Sequence, residues 1–342
     1  MESSPSVSPR TIGRYMSANI RPLSSNLTSN RTVRECIENF KALCQKAFTL
    51  RKGMNVPGWA WIVSNYNHSR YETQPLQEAL VEAFGADEYL FGGQRKESST
   101  IAAKVAVTAT SAAGTAVVLT NYNRHCDEKL PYQFQRPENQ SAELKTWEAA
   151  RATSAAPTFF RALCHEPSKQ VLWDGGVYNN NPINIAERER KLIWPDLAEQ
   201  EPDVVVSIGT LFCTKIETKR TAGFTSSPRG IVAHLKFLAK MASDHLHTSL
   251  DSQKTWDDFM GSRRPVGQDK ERYVRLNPEL HEQPPKMDEV KRLGYLQEAT
   301  RFLIGGDEKL KRLARQLVAT SFYFEVVGDV RELDGGMFEA DG

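Results

Sequence analysis

Asp174 is the residue whose surroundings in sequence most resemble a place for chemistry. It ends a short apolar run, Val171-Leu172-Trp173, that reads as a buried strand. It is followed by Gly175-Gly176-Val177-Tyr178-Asn179-Asn180-Asn181-Pro182. The two glycines, Gly175 and Gly176, predict a turn able to take positive φ, and Pro182 predicts the first turn of a helix. An aspartate at the C-terminal end of a strand, facing a helix N-terminus, sits where α/β sheets bind and react with ligands. The plainer alternative, a turn aspartate that caps a helix, explains the same residues.

The other reactive side chains offer little. His245 and His247 fall two apart in a helical stretch, so they point to different faces and cannot share a metal. His125, His165, His234 and His281 have no partner that spacing can name, and no metal site or cofactor is expected. Ser111, in Thr110-Ser111-Ala112-Ala113-Gly114, follows a strand but reads as loop, without the glycine and helix that a nucleophile turn needs. Cys36, Cys44, Cys126, Cys164 and Cys213 show no C-x-x-C spacing and leave one over if paired. Buried thiols in a reducing compartment, the cytoplasm, are the economical expectation.

The elements around Asp174 alternate. Thr32-Val33-Arg34-Glu35 has capping-box spacing, and Val33, Ile37, Phe40, Leu43, Cys44 and Ala47 follow at helical period to about residue 50. Further helices are expected over residues 75–84, 142–153, 183–193, 231–250, 289–303 and 308–319. Strands are expected over residues 104–109, 116–122, 171–173, 204–208 and 273–278. Strands of near-continuous apolar character suit a sheet covered on both faces, and their alternation with helices predicts an α/β fold. Residues 1–30 are rich in Ser, Asn, Pro and Arg and are expected to be disordered. Residues 31–330 form one domain, and residues 331–342 a flexible tail in which Asp334-Gly335-Gly336 is a turn.

Three stretches in order then carry a resemblance. Trp147-Glu148-Ala149-Ala150-Arg151-Ala152-Thr153-Ser154-Ala155-Ala156-Pro157-Thr158-Phe159-Phe160 precedes the aspartate segment, and Asp203-Val204-Val205-Val206-Ser207-Ile208-Gly209-Thr210 follows it. Together, from about Thr32 to Glu325, they resemble the patatin-like phospholipases. The resemblance implies a three-layer α/β/α sandwich with a mainly parallel sheet. It makes Asp174 the base of a Ser–Asp dyad that hydrolyses phospholipid or other acyl-ester lipid through an acyl-serine intermediate. Ala155, Ala156 and Pro157 are expected to pack around the site, and the run Asn179 to Asn181 to hold its loop.

The nucleophile half of the pattern is missing. No G-x-S-x-G occurs anywhere in the sequence, so the domain is expected to be partial, without its first strand and nucleophile elbow. Ser17, in Tyr15-Met16-Ser17-Ala18-Asn19, is nearest by the family's spacing, but Tyr15 and Asn19 stand where glycines are needed. Gly92-Gly93-Gln94-Arg95 spells the family's oxyanion motif, downstream of where the family carries it, and reads as a loop. The expected function is that of a lipid acyl hydrolase homologue, inactive or very weak. The alternatives are a fragment of an active enzyme whose true start is replaced by residues 1–30, an ester hydrolase with an unrecognised nucleophile, or a non-catalytic lipid- or protein-binding module.

Composition narrows the partners. A formal net charge of +2 with 25% charged residues gives no argument for nucleic acid. No apolar run approaches the ~18 residues of a membrane span. Peripheral membrane contact is expected at most.

Overall fold

The computed structural model describes residues 15–17, 32–53, 69–91, 103–124, 128–135, 140–213, 249–282, 284–320, 331–333 and 337–339. At its centre is a six-stranded sheet of β1 (Tyr15–Ser17), β2 (Lys104–Ser111), β3 (Ala116–Thr120), β4 (Tyr132–Gln135), β5 (Leu163–His165) and β6 (Gln170–Asp174). The path β4-β3-β2-β6-β5 runs across it, and β1 pairs with β2.

The sheet is mixed, not mainly parallel. Pairs β1–β2 and β3–β4 are parallel, whereas β2–β3, β2–β6 and β5–β6 are antiparallel. Connection length decides this. Only residues 112–115 join β2 to β3, with Gly114 at φ +78° and Ser111 N–H donating to Thr115 O at 2.9 Å. A turn that short can only reverse the chain. Residues 166–169 do the same between β5 and β6, with Lys169 at φ +55°.

Helices cover both faces, so the expected α/β/α layering holds. Val105, Val107 and Ala109 of β2 pack with Val117 and Leu119 of β3 toward Leu144 and, on α3 (Thr146–Thr153), Ala149 and Ala152. The alternate residues Ala106 and Val118 pack on the other side with Tyr122, Tyr132 and Ile185 of α5 (Ile183–Ile193). Six consecutive residues of β2 are buried, as a strand enclosed on both faces must be. Outside α3 lie α1 (Val33–Ala47) and α2 (Thr73–Phe84), packed through Ala47, Leu76, Leu80, Phe159 and Phe160. The capping box of α1 forms as its spacing predicts: Glu35 N–H donates to Thr32 Oγ1 at 3.3 Å, and Thr32 N–H to Glu35 Oε2 at 2.6 Å. The apolar stripe behind it is covered only in part, since Val33 and Ile37 are exposed.

The four-residue helix α4 (Gly176–Asn179) precedes α5, and Pro182 is the residue before α5, not within its first turn. Beyond it, β7 (Val205–Ile208) pairs in parallel with β8 (Tyr273–Leu276), and α6 (Ser249–Arg263) joins them through Trp256 and Phe259. Most of the helix expected over residues 231–250 lies outside the described residues. The expected helix over 289–303 is a 3-10 turn at Val290–Arg292 followed by α7 (Leu293–Ile304), and α8 (Glu308–Ala319) follows. Two findings differ from the sequence reading at the chain ends. Tyr15–Ser17 form a strand inside the segment expected to carry none, and β9 (Arg331–Leu333) pairs antiparallel with β10 (Met337–Glu339) in the expected tail.

Candidate functional site

Asp174 is the last residue of β6 and pairs with Ala109 of β2. Its backbone is held from two sides: its N–H donates to Ala155 O at 3.2 Å, and its carbonyl accepts from Thr110 Oγ1 at 2.9 Å. Its carboxylate Oδ1 accepts the Gly176 N–H at 2.6 Å. The residue is half-buried, and burial raises the carboxyl from its ordinary 3.8 to about 7, with the Gly176 N–H opposing the rise. A carboxyl poised near neutrality can accept a proton from a weak acid such as a serine hydroxyl.

The glycines act otherwise than their letters suggest. Gly175 has φ −69° and ψ −24°, ordinary right-handed backbone, so positive φ is not what requires it. A Cβ there would lie 2.2 Å from Thr108 O and 2.4 Å from Thr108 Oγ1. Gly175 is needed for close approach, letting the turn rest on the β2 backbone. At Gly176 a Cβ would be 3.0 Å from Asp174 Oδ1, tight against the carboxylate that its N–H holds.

The three sequence stretches converge here. Ala155, fully buried, supplies the carbonyl on Asp174, while Ala156 packs with Phe159 and Phe160. Thr158, in the same turn, is held at φ +71° and its carbonyl accepts from Arg70 N–H at 2.8 Å. A β-branched residue there is backbone strain that the neighbouring contacts must hold. Of the asparagines, Asn181 ties the loop: its Nδ2 donates to Ser252 O at 2.9 Å, and its Oδ1 accepts from Ile183 N–H and Ser207 Oγ, both at 3.4 Å. Ser207 belongs to the Asp203–Thr210 stretch, so the bond connects the second motif to the third.

The strand that sequence reasoning missed bears on the nucleophile. β1 runs parallel to β2 and ends at Ser17 opposite Ala106, while β6 ends at Asp174 opposite Ala109. β3 occupies the other edge of β2 through Ala106 to Thr110, so β1 and β6 share one edge. Their C-terminal ends face each other across three residue steps, roughly 10 Å at about 3.3 Å per residue. No local signal announced this strand, because three residues carry no measurable period.

The remaining reactive residues do not join this site. Ser111 closes β2 and its Oγ lies 2.7 Å from Thr115 Oγ1, within the hairpin turn. His165 is buried, with Nδ1 2.6 Å from Ser168 Oγ and Nε2 3.6 Å from Glu148 Oε2, and burial lowers its pKa. Buried Arg151 donates to Arg161 O at 2.6 Å, and burial lowers its pKa to about 10. Gly92-Gly93-Gln94-Arg95, His125, His234, His245, His247, Cys126 and the turn Asp334-Gly335-Gly336 lie outside the described residues. Among the described residues no group of three or more His, Cys, Asp or Glu could hold a metal. No described helix is long and apolar enough to cross a membrane.

Known proteins are similar to this chain in sequence. Residues 23–187 match the family model of the patatin-like phospholipases, an interval that contains Asp174 and its turn. The calcium-independent phospholipase A2-gamma of Rattus norvegicus is 26% identical over 310 residues, 89% of this chain and 35% of its own length. The human protein of that name is 23% identical over 308 residues with the same coverage. The 85/88 kDa calcium-independent phospholipase A2 of Mus musculus is 26% identical over 235 residues, 61% of this chain and 26% of its own length. The chain thus spans about a third of the length of the curated relatives it matches. The Asp-Gly-Gly turn, its Ala-Ala-Pro support and the central strands β2 to β6 thus fall within the interval, residues 23–187, that matches the patatin-like phospholipase family model.

Proposed function

We propose that this chain is a lipid acyl hydrolase homologue of the Ser–Asp dyad type that keeps the base, Asp174, and lacks an effective nucleophile. The observation that carries this reading is the half-buried carboxyl at the end of β6, raised to about 7 and oriented by the Gly176 N–H. In such a dyad the carboxylate takes the serine proton as Oγ attacks the ester carbonyl, and backbone N–H donors hold the resulting oxyanion. The substrate class is phospholipid or another acyl-ester lipid, which the names of the relatives support. Without G-x-S-x-G the hydrolytic rate is absent or several powers of ten below that of a complete dyad. Binding of lipid or of a partner protein without turnover is the role such a chain would retain. Placement in the cytoplasm accords with buried Cys44 and Cys213, which form no disulfide.

A second reading has one observation in its favour: Ser17 ends the strand that faces Asp174 on the shared edge of β2. Here Ser17 is the nucleophile, with Tyr15 and Asn19 at the positions where an elbow has glycines. Fluorophosphonate labelling of the purified chain, mapped by peptide mass spectrometry, separates the two readings. An unlabelled, well-folded chain supports the first. A label on Ser17 that disappears in Asp174→Asn establishes the second and overturns the first.

A further inference from the structure

Beyond the α/β core, α7 and α8 form a pair joined by residues 305–307 and bury almost nothing. Among their side chains only Leu313 is buried. Yet both helices are amphipathic. In α8, Leu310, Leu313, Ala314, Leu317 and Val318 recur at i, i+3, i+4, i+7 and i+8, which makes one apolar stripe. One side of that helix is turned to the protein: Arg312 Nη1 donates to Glu271 Oε1 at 2.9 Å and Gln316 Nε2 to Glu271 O at 3.4 Å. The other side is open, with Leu317 48% and Val318 59% exposed. At 100° per residue, Lys311 and Arg315 fall just beyond Val318 and flank this open edge. In α7, Tyr295 and Phe302 stand seven residues apart on one face, and Phe302 is 88% exposed.

Charge says what covers this surface. α8 carries Lys309, Lys311, Arg312 and Arg315 against the single acid Glu308, a net +3 from four positive and one negative side chains. Lys311 pairs with Glu308 and Arg312 with Glu271, whereas Lys309 and Arg315 make no ion pair among the described residues. A second copy docking face to face would bring like charge onto like charge, since a two-fold interface sets the same patch against itself. An apolar stripe with a cationic border instead complements lipid: acyl chains for the apolar side chains, phosphates for the cations.

We propose that α7 and α8 form a docking surface for an anionic phospholipid bilayer, with Phe302, Leu317 and Val318 entering the interface and Lys311 and Arg315 contacting headgroup phosphates. The proposal deepens the lipid reading above by naming the surface that meets the membrane, but docking itself needs no turnover.

The test is co-sedimentation of the full chain with vesicles of phosphatidylcholine alone and of phosphatidylcholine mixed with phosphatidylserine. Binding is expected to the mixed vesicles, about tenfold or more weaker to phosphatidylcholine alone, and reduced by salt. The triple variant Phe302→Ser, Leu317→Ser, Val318→Ser changes exposed residues only, so its circular dichroism should match the parent while vesicle binding falls by about tenfold or more. Lys311→Glu with Arg315→Glu should remove the preference for anionic lipid. Asp174→Asn should bind as the parent does, which keeps a failure of the hydrolase reading distinct from a failure of docking. No binding of the parent to mixed vesicles would overturn the proposal. So would unchanged binding of the folded triple variant, or a parent dimer in light scattering that the triple variant dissolves.

Discussion

A Cβ atom on Gly175 would lie 2.2 Å from the carbonyl oxygen of Thr108, so the turn that carries Asp174 is seated directly on the β2 backbone. Neither partner can yield easily, because Thr108 lies within the paired part of β2. Gly175→Ala should therefore cost about 1–3 kcal/mol by overpacking. Gly176→Ala, whose nearest contact would be Asp174 Oδ1 at 3.0 Å, should cost less. Urea denaturation of the two variants checks the order; equal stabilities would mean that the turn does not rest on β2.

Asp174 should also mark the stability–pH profile. Its folded pKa of about 7 stands above the ordinary 3.8, so between these values the folded chain holds a proton that the unfolded chain has released. Folding is penalised progressively as pH rises through that window, and fully above it. Asp174→Asn lacks the titration. Its Tm should match that of the parent near pH 4 and exceed it increasingly up to about pH 7, then stay ahead by a constant margin. His165 works at the other limb: burial lowers its pKa from 6.5, so it penalises folding as pH falls below 6.5, and His165→Gln should flatten the acid side. Thermal melts across the pH range read both effects.

Glu189 of α5 is fully buried and accepts from Tyr122 OH at 2.8 Å, Tyr132 OH at 2.5 Å and Arg124 Nη2 at 2.6 Å. Arg124 in turn lies over the Phe134 ring at 4.0 Å. Glu189→Ala leaves a buried guanidinium without its counter-charge and should cost about 3–5 kcal/mol. Glu189→Leu combined with Arg124→Met removes both charges and should recover most of that loss in chemical denaturation.

Tyr71 OH donates to Asp288 Oδ2 at 2.7 Å and Arg70 Nη1 to the same oxygen at 3.0 Å. Burial and the Asp288 carboxylate together raise the Tyr71 pKa. This contact fastens the segment before the Val290–Arg292 turn to the aromatic cluster of Phe48, Tyr71, Phe159 and Phe160. A double-mutant cycle with Tyr71→Phe and Asp288→Asn should give a coupling of about 0.5–3 kcal/mol. Additive losses would mean that the hydrogen bond contributes nothing beyond its separate groups.

Several parts of this protein are written locally and could be read without coordinates. The box at Thr32 and Glu35 needs only four consecutive residues, and the burial of β2 on both faces shows in its unbroken apolar character. Asp174 stood out because strand, glycine turn and helix follow one another within a few residues. What the tertiary structure decided depends on residues distant in sequence. Whether Gly175 serves a positive φ or a close approach was settled by Thr108, which lies 67 positions upstream by the numbering. That Ala155, Asp174, Asn181 and Ser207 form one connected unit rests on hydrogen bonds between separate motifs. The antiparallel order of the sheet followed from two short turns whose apolar flanks read equally well as parallel strands. The head-on approach of β1 and β6 has no local signature: a three-residue strand has too few side chains to show alternation, and only the open edge of β2 gives it a partner.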